Sequence, residues 1–179
     1  YCYDKLAAIG IKNARVQTGW WKCEKEKGVY DWIWLDNIVE NLERRGIKPW
    51  FNVGFGNKLY MGETYGEASV GFVPLYYGEE CEQAWLDFCR ALVERYKGRI
   101  EYYEIWNEPN VYGGFNINYA TPQQYTELVK AVYTRIKSVN PNIKVMSMST
   151  ATVHDAFLDP CIEAGILDYC DAISCHPYD

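Results

Sequence analysis

Ile100-Glu101-Tyr102-Tyr103-Glu104-Ile105-Trp106-Asn107-Glu108-Pro109-Asn110 is the stretch around which the rest of the chain can be arranged. Side chains alternate between the faces of a β-strand, so Tyr102, Glu104, Trp106 and Glu108 are expected on one face. An interior strand normally carries apolar residues there; this face carries two carboxylates. Pro109 lacks the N–H that pairing needs, which ends the strand and leaves Glu108 at its C-terminal tip. A carboxyl group among aromatic rings at a strand tip is placed for proton transfer.

Outward from this strand, β-like runs alternate with amphipathic helices. Strands are predicted over residues 11–17, 47–53, 100–106, 143–148 and 171–175. Helices are predicted over 3–9, 32–45, 80–97, 121–138 and 155–164. Asp31 and Gly46 frame the second helix, and Thr121-Pro122 opens the fourth. Such alternation indicates βα units and a parallel sheet, either open and doubly wound or closed as a barrel. No GxGxxG follows a strand, which removes the main support for a dinucleotide-binding sheet. Gln17, Asn52, Asn107-Glu108, Ser149 and His176 stand at the ends of successive strands. Active sites of β/α barrels collect there, so the barrel is favoured.

The 179 residues suffice for one domain, and 49% hydrophobic with 23% charged residues is a globular composition. The net charge of −6 and scattered lysines and arginines give nucleic acid no basic stripe to meet. No leader or membrane-spanning run is present, and the chain does not begin with Met, so localisation is unassigned. The seven cysteines include no CxxC pair, which signals neither zinc nor a disulfide framework. Cys89 and Cys170 read as buried free thiols and lean weakly towards a reducing compartment. The 16 Tyr and 7 Trp suit the flat faces of sugar rings. About two-thirds of these rings are expected in structural roles. Trp20, Trp21, Asn52, Asn57, Tyr60 and Tyr65 are the candidates to line a sugar site.

The segment Trp106-Asn107-Glu108-Pro109-Asn110 resembles the acid/base signature of clan A glycoside hydrolases. Its flanks, the strand at 47–54, the stretch 125–141 and the end 171–178 resemble glycoside hydrolase family 39, which includes β-xylosidases and α-L-iduronidases. The resemblance implies an α/β fold of the (β/α)8 TIM-barrel type, present in part: residues 1–179 as a single incomplete barrel domain with strands two to six, truncated at both ends. A complete barrel takes about 250 residues. It implies a retaining hydrolase acting by double displacement without metal or organic cofactor. Glu108 would be the acid/base and Asn107 would grip the sugar 2-hydroxyl. His176 and Tyr178 match a pair seen near the nucleophile, and Arg15, with Glu104 as its partner, would support the carboxylates. His154, at a helix start, has no expected role.

A retaining enzyme needs a second carboxylate roughly 5–5.5 Å from the first. In these families that Glu ends the seventh strand, beyond Asp179. The 179-residue chain alone is therefore expected to hydrolyse nothing, and its open strand edges are expected to promote association. The leading activity is an exo-acting β-xylosidase on an oligosaccharide or glycoside. The alternatives are an endo-glycanase of another clan A family, to be decided by loops 55–79 and 109–120, and a non-catalytic carbohydrate-binding barrel.

Overall fold

The computed structural model describes residues 2–62, 73–111 and 120–178. Helix α1 (Cys2–Ala8) leads into strand β1 (Asn13–Gln17), the short helix α2 (Trp20–Cys23) and a hairpin of β2 (Glu24–Glu26) with β3 (Val29–Tyr30). Helix α3 (Ile33–Glu43), β4 (Lys48–Val53), the short α4 (Lys58–Met61) and a 3-10 turn at Pro74–Tyr77 follow. The second half holds α5 (Glu79–Arg95), β5 (Tyr102–Ile105), α6 (Pro122–Val139), β6 (Lys144–Ala151), α7 (Asp155–Glu163) and β7 (Ala172–His176). The predicted alternation is present; the hairpin and the short helices α2 and α4 lie in segments where no periodicity announced them.

The main sheet runs β1-β4-β5-β6-β7, every neighbouring pair parallel. Parallel neighbours need long crossovers, and α3, α5, α6 and α7 supply them. The sheet curls as half of a β/α barrel with helices outside.

Alternation along the strands sorts the residues. Val16, Phe51, Val53, Tyr103, Ile105 and Val145 point outward and are buried. They meet Leu35 and Val39 of α3, Trp85, Phe88 and Leu92 of α5, and Tyr125, Leu128 and Val132 of α6 in one core cluster. Removing this much apolar surface from water is the main favourable term in the fold. On β7 the corresponding outward residues, Ile173 and Cys175, are exposed.

Chain direction is set locally. Thr121 accepts from the backbone of Gln124 while the Gln124 side chain accepts from Thr121 N–H, both at 3.1 Å, a capping box that starts α6 just before Pro122. β6 extends further than predicted, to Ala151, and its register against β7 shifts between Met148 and Thr150. Met148 (φ 76°) and Ser149 (φ 42°) take the left-handed conformation there, and the shift re-aims the strand end.

Candidate active site

The C-terminal ends of β1, β4, β5 and β7 meet around two carboxylates. Glu104 lies within β5 and is 1% exposed; Glu108 lies just beyond it and is 8% exposed. Strict alternation would put Trp106 beside them. Instead Trp106 is fully buried, edge-on to Trp85 of α5 with ring centroids 5.9 Å apart, and so belongs to the outer core. The cause is backbone conformation: β5 ends at Ile105, and Trp106 (φ 66°) and Glu108 (φ 48°) are left-handed. These turns let consecutive residues Asn107 and Glu108 both join the site cluster.

The surroundings hold this strained segment in place. Trp106 N–H donates to Val53 O at 2.8 Å and Glu108 N–H donates to Ser149 O at 2.9 Å. Asn110 bridges to β6, donating to Ala151 O and accepting from Ala151 N–H, each at 2.9 Å. Ile105 O accepts from Tyr125 at 2.8 Å and from Ser149 at 3.2 Å. Gly54, at the end of β4, is required by close approach: a Cβ there would sit 2.9 Å from Asn52 Oδ1 and 3.3 Å from Asn107 Cβ. A glycine directly after a strand was the available sequence signal for this contact.

Glu108 Oε1 lies 2.9 Å from His176 Nδ1 and accepts from the Tyr178 hydroxyl at 3.1 Å. The Glu108 carboxylate raises the Tyr178 phenol above its usual pKa through that hydrogen bond and its charge, so the phenol remains a donor. Arg15 on β1 donates from Nε to Glu104 Oε2 at 2.8 Å and from Nη2 to Asn107 Oδ1 at 2.8 Å. Asn52 on β4 donates to Glu104 Oε2 at 2.9 Å and to Trp106 O at 2.6 Å. Sequence reasoning singled out Arg15, Glu104, Asn107, Glu108, His176 and Tyr178 as one group, and the structure brings them together. The expected Arg15–Glu104 pair is present, and Arg15 also orients Asn107.

Two expectations are corrected. Asn52 was expected to contact substrate, but it is fully buried and its amide is committed to Glu104 and Trp106. Trp20 was expected to line the sugar site, but it too is fully buried, stacked on Tyr60 at 5.3 Å. Its Nε1–H donates to Glu24 Oε2 at 2.5 Å. Tyr60 and Asn57 converge on the same Glu24, through its Oε1 at 2.5 Å and its backbone oxygen at 2.8 Å. This Glu24 hub was missed, because its partners come from separate parts of the chain and carry no local pattern.

Trp21 keeps accessible surface. It lines a cavity of about 710 Å³ together with Arg15, Gln17, Lys22, Trp34 and Phe55. Lys22 and Lys25 lie over its ring at 5.4 and 4.0 Å from the centroid. Tyr65, Asp179 and much of the loops 55–79 and 109–120 lie outside the described residues. Among the described residues, no group of three or more His, Cys, Asp and Glu side chains is arranged to hold a metal ion, and no helix is long and apolar enough to cross a membrane.

Residues 8–179 match the family model described as glycosyl hydrolases family 39. A β-xylosidase of Caldicellulosiruptor saccharolyticus is 30% identical over 153 residues, covering 80% of this chain and 30% of that protein. A β-xylosidase of Geobacillus stearothermophilus is 30% identical over 133 residues, 66% of this chain and 24% of that protein. Among solved structures, a family 39 glycoside hydrolase from the gut symbiont Bacteroides cellulosilyticus WH2 superposes with a TM-score of 0.79 and 28% identity. It covers 98% of this chain, which spans 34% of that one. The chain thus spans about a third or less of the length of these relatives. With a family match across nearly its whole length and the motif's carboxylate at the strand ends, the chain belongs to glycoside hydrolase family 39.

Proposed function

We propose that the protein containing this chain is a retaining β-glycosidase, β-xylosidase-like in substrate, with Glu108 as its acid/base. One observation carries the reading: the Glu108 carboxyl stands at the strand ends, its Oε1 engaged by His176 and Tyr178. A carboxyl held there can give a proton to the leaving oxygen of a glycoside and later take one from water. Arg15 occupies the carboxamide oxygen of Asn107 and thereby directs its NH2 as the group offered to a sugar 2-hydroxyl. That contact strengthens as charge develops on the ring in the transition state. The substrate class rests on the two β-xylosidase relatives.

Double displacement needs a nucleophile on the opposite side of the sugar. Glu104 does not suit that task, because Arg15 and Asn52 occupy its Oε2 and it lies within β5, on the same chain segment as the acid. The nucleophile is therefore assigned to a residue outside the described ones.

The test uses the full-length protein on xylobiose and longer β-1,4-xylo-oligosaccharides. Steady release of xylose, falling by about 10²–10⁴-fold in Glu108→Gln, is the expected result. Unreduced turnover in that variant contradicts the acid/base assignment. Internal cleavage into oligosaccharides would replace the exo reading with an endo one, and saturable binding without turnover would make the barrel a carbohydrate binder.

A further inference from the structure

His176 lies between both carboxylates of the site. Its Nδ1 is 2.9 Å from Glu108 Oε1, and its Nε2 is 3.7 Å from Glu104 Oε1. Glu104 Oε1 and His176 Nε2 are both buried and have no hydrogen-bond partner among the described residues. Two orphaned polar atoms thus face one another, at a separation that a small side-chain rotation closes to hydrogen-bond length. The other oxygen of Glu104 is fixed in identity: Arg15 and Asn52 both donate to Oε2, so an acceptor must stand there. Glu104 consequently presents Oε1, also an acceptor, to the imidazole.

We propose that Glu104 is a positioning residue that selects the tautomer of His176, keeping the ring proton on Nε2 and leaving Nδ1 as an acceptor directed at Glu108. The two ring nitrogens of a neutral histidine have opposite roles, so fixing one fixes the other. With Nδ1 bare, the 2.9 Å contact to Oε1 is a hydrogen bond only while Glu108 carries a proton. When the Glu108 O–H bond breaks and its proton joins the leaving oxygen, a carboxylate is left facing a lone pair. Taking a proton from the attacking water restores the bond. His176 keeps its own proton throughout. This inference rests on the acid/base role of Glu108 and adds the residue that prepares it.

In the full-length protein, the imidazole signals lost from the nitrogen-15 NMR spectrum in His176→Gln are those of His176. They are expected to show a protonated Nε2 and a bare Nδ1. A proton on Nδ1, alone or together with one on Nε2, overturns the proposal with no further variant needed. In Glu104→Gln, Arg15 and Asn52 still demand an oxygen at the Oε2 position, which forces the amide NH2 towards Nε2. That variant is expected to invert the tautomer; an unchanged His176 spectrum in folded protein also overturns the proposal. In the full-length protein, Glu104→Gln should lower kcat/KM by about 10²-fold for leaving groups that need protonation while sparing dinitrophenyl glycosides. Equal loss on both substrates contradicts it. Unreduced turnover in Glu108→Gln would instead remove the acid/base assignment on which this inference rests, whichever nitrogen carries the proton.

Discussion

Glu24 and Glu104 are each 1% exposed, yet their surroundings are opposite in kind. Glu24 is saturated by neutral donors. Gly28 N–H at 2.7 Å and the Tyr60 hydroxyl at 2.5 Å reach Oε1, and Trp20 Nε1–H at 2.5 Å reaches Oε2. Around Glu104 the donors crowd one oxygen, while Glu104 Oε1, His176 Nε2 and Asn52 Oδ1 lack hydrogen-bond partners among the described residues. The backbone differs in the same way: left-handed residues Trp106, Glu108, Met148 and Ser149 gather by the second cluster. A buried carboxylate that only ties loops together is satisfied completely. One that belongs to a working site keeps polar capacity unfilled and stores strain, since native proteins tolerate both chiefly where function uses them.

Glu24→Gln is the strongest way to break this comparison. The amide NH2 would face donors that need an acceptor, so unfolding in urea should show a loss on the order of 2–4 kcal/mol. Glu108→Gln should stay within about 1 kcal/mol of the parent, its effect falling on turnover. Equal stability of the two variants would erase the distinction. Tyr60→Phe removes one of the three donors to Glu24 and should cost about 1–2 kcal/mol in the same assay. Thr121→Ala, remote from both clusters, gives a yardstick of about 1 kcal/mol for a lost helix cap. The mildest probe reads cysteine reactivity. Burial pushes the Cys23 and Cys81 thiols up to about 12 and Cys161 up to about 11, and raises Cys89 as well. At pH 8 a thiol reagent should modify the exposed Cys2 and Cys175 first. Opening of the Glu24 hub should then make Cys23, its chain neighbour, reactive in Glu24→Gln but not in Glu108→Gln.

The two clusters also differ in how far the sequence revealed them. Strand and helix alternation, the Thr121-Pro122 start and the polar strand ends are local patterns, and they led to the half-barrel and to Glu108. Trp106 was placed on the wrong face because alternation assumes extended backbone, and nothing in Trp106 or Glu108 announces a left-handed φ that glycine would have signalled. Trp20 was assigned to sugar on residue type, and Asn52 on residue type together with its place at a strand end. Their burial follows from partners distant in sequence: Tyr60 and Phe88 around one, Glu104 and Trp106 around the other. Glu24 was passed over for the same reason. A carboxylate in a polar run, Glu24-Lys25-Glu26-Lys27, looks solvated until the loop from β4 folds across it.

The acid/base role of Glu108 is tested most directly by chemical rescue in the full-length protein. In Glu108→Ala, hydrolysis of a dinitrophenyl β-xyloside should stall at the glycosyl-enzyme, because water lacks its base. Added azide, which needs none, should restore turnover and yield β-xylosyl azide with retained configuration. Turnover unaffected by azide, or an α-configured product, would contradict the account.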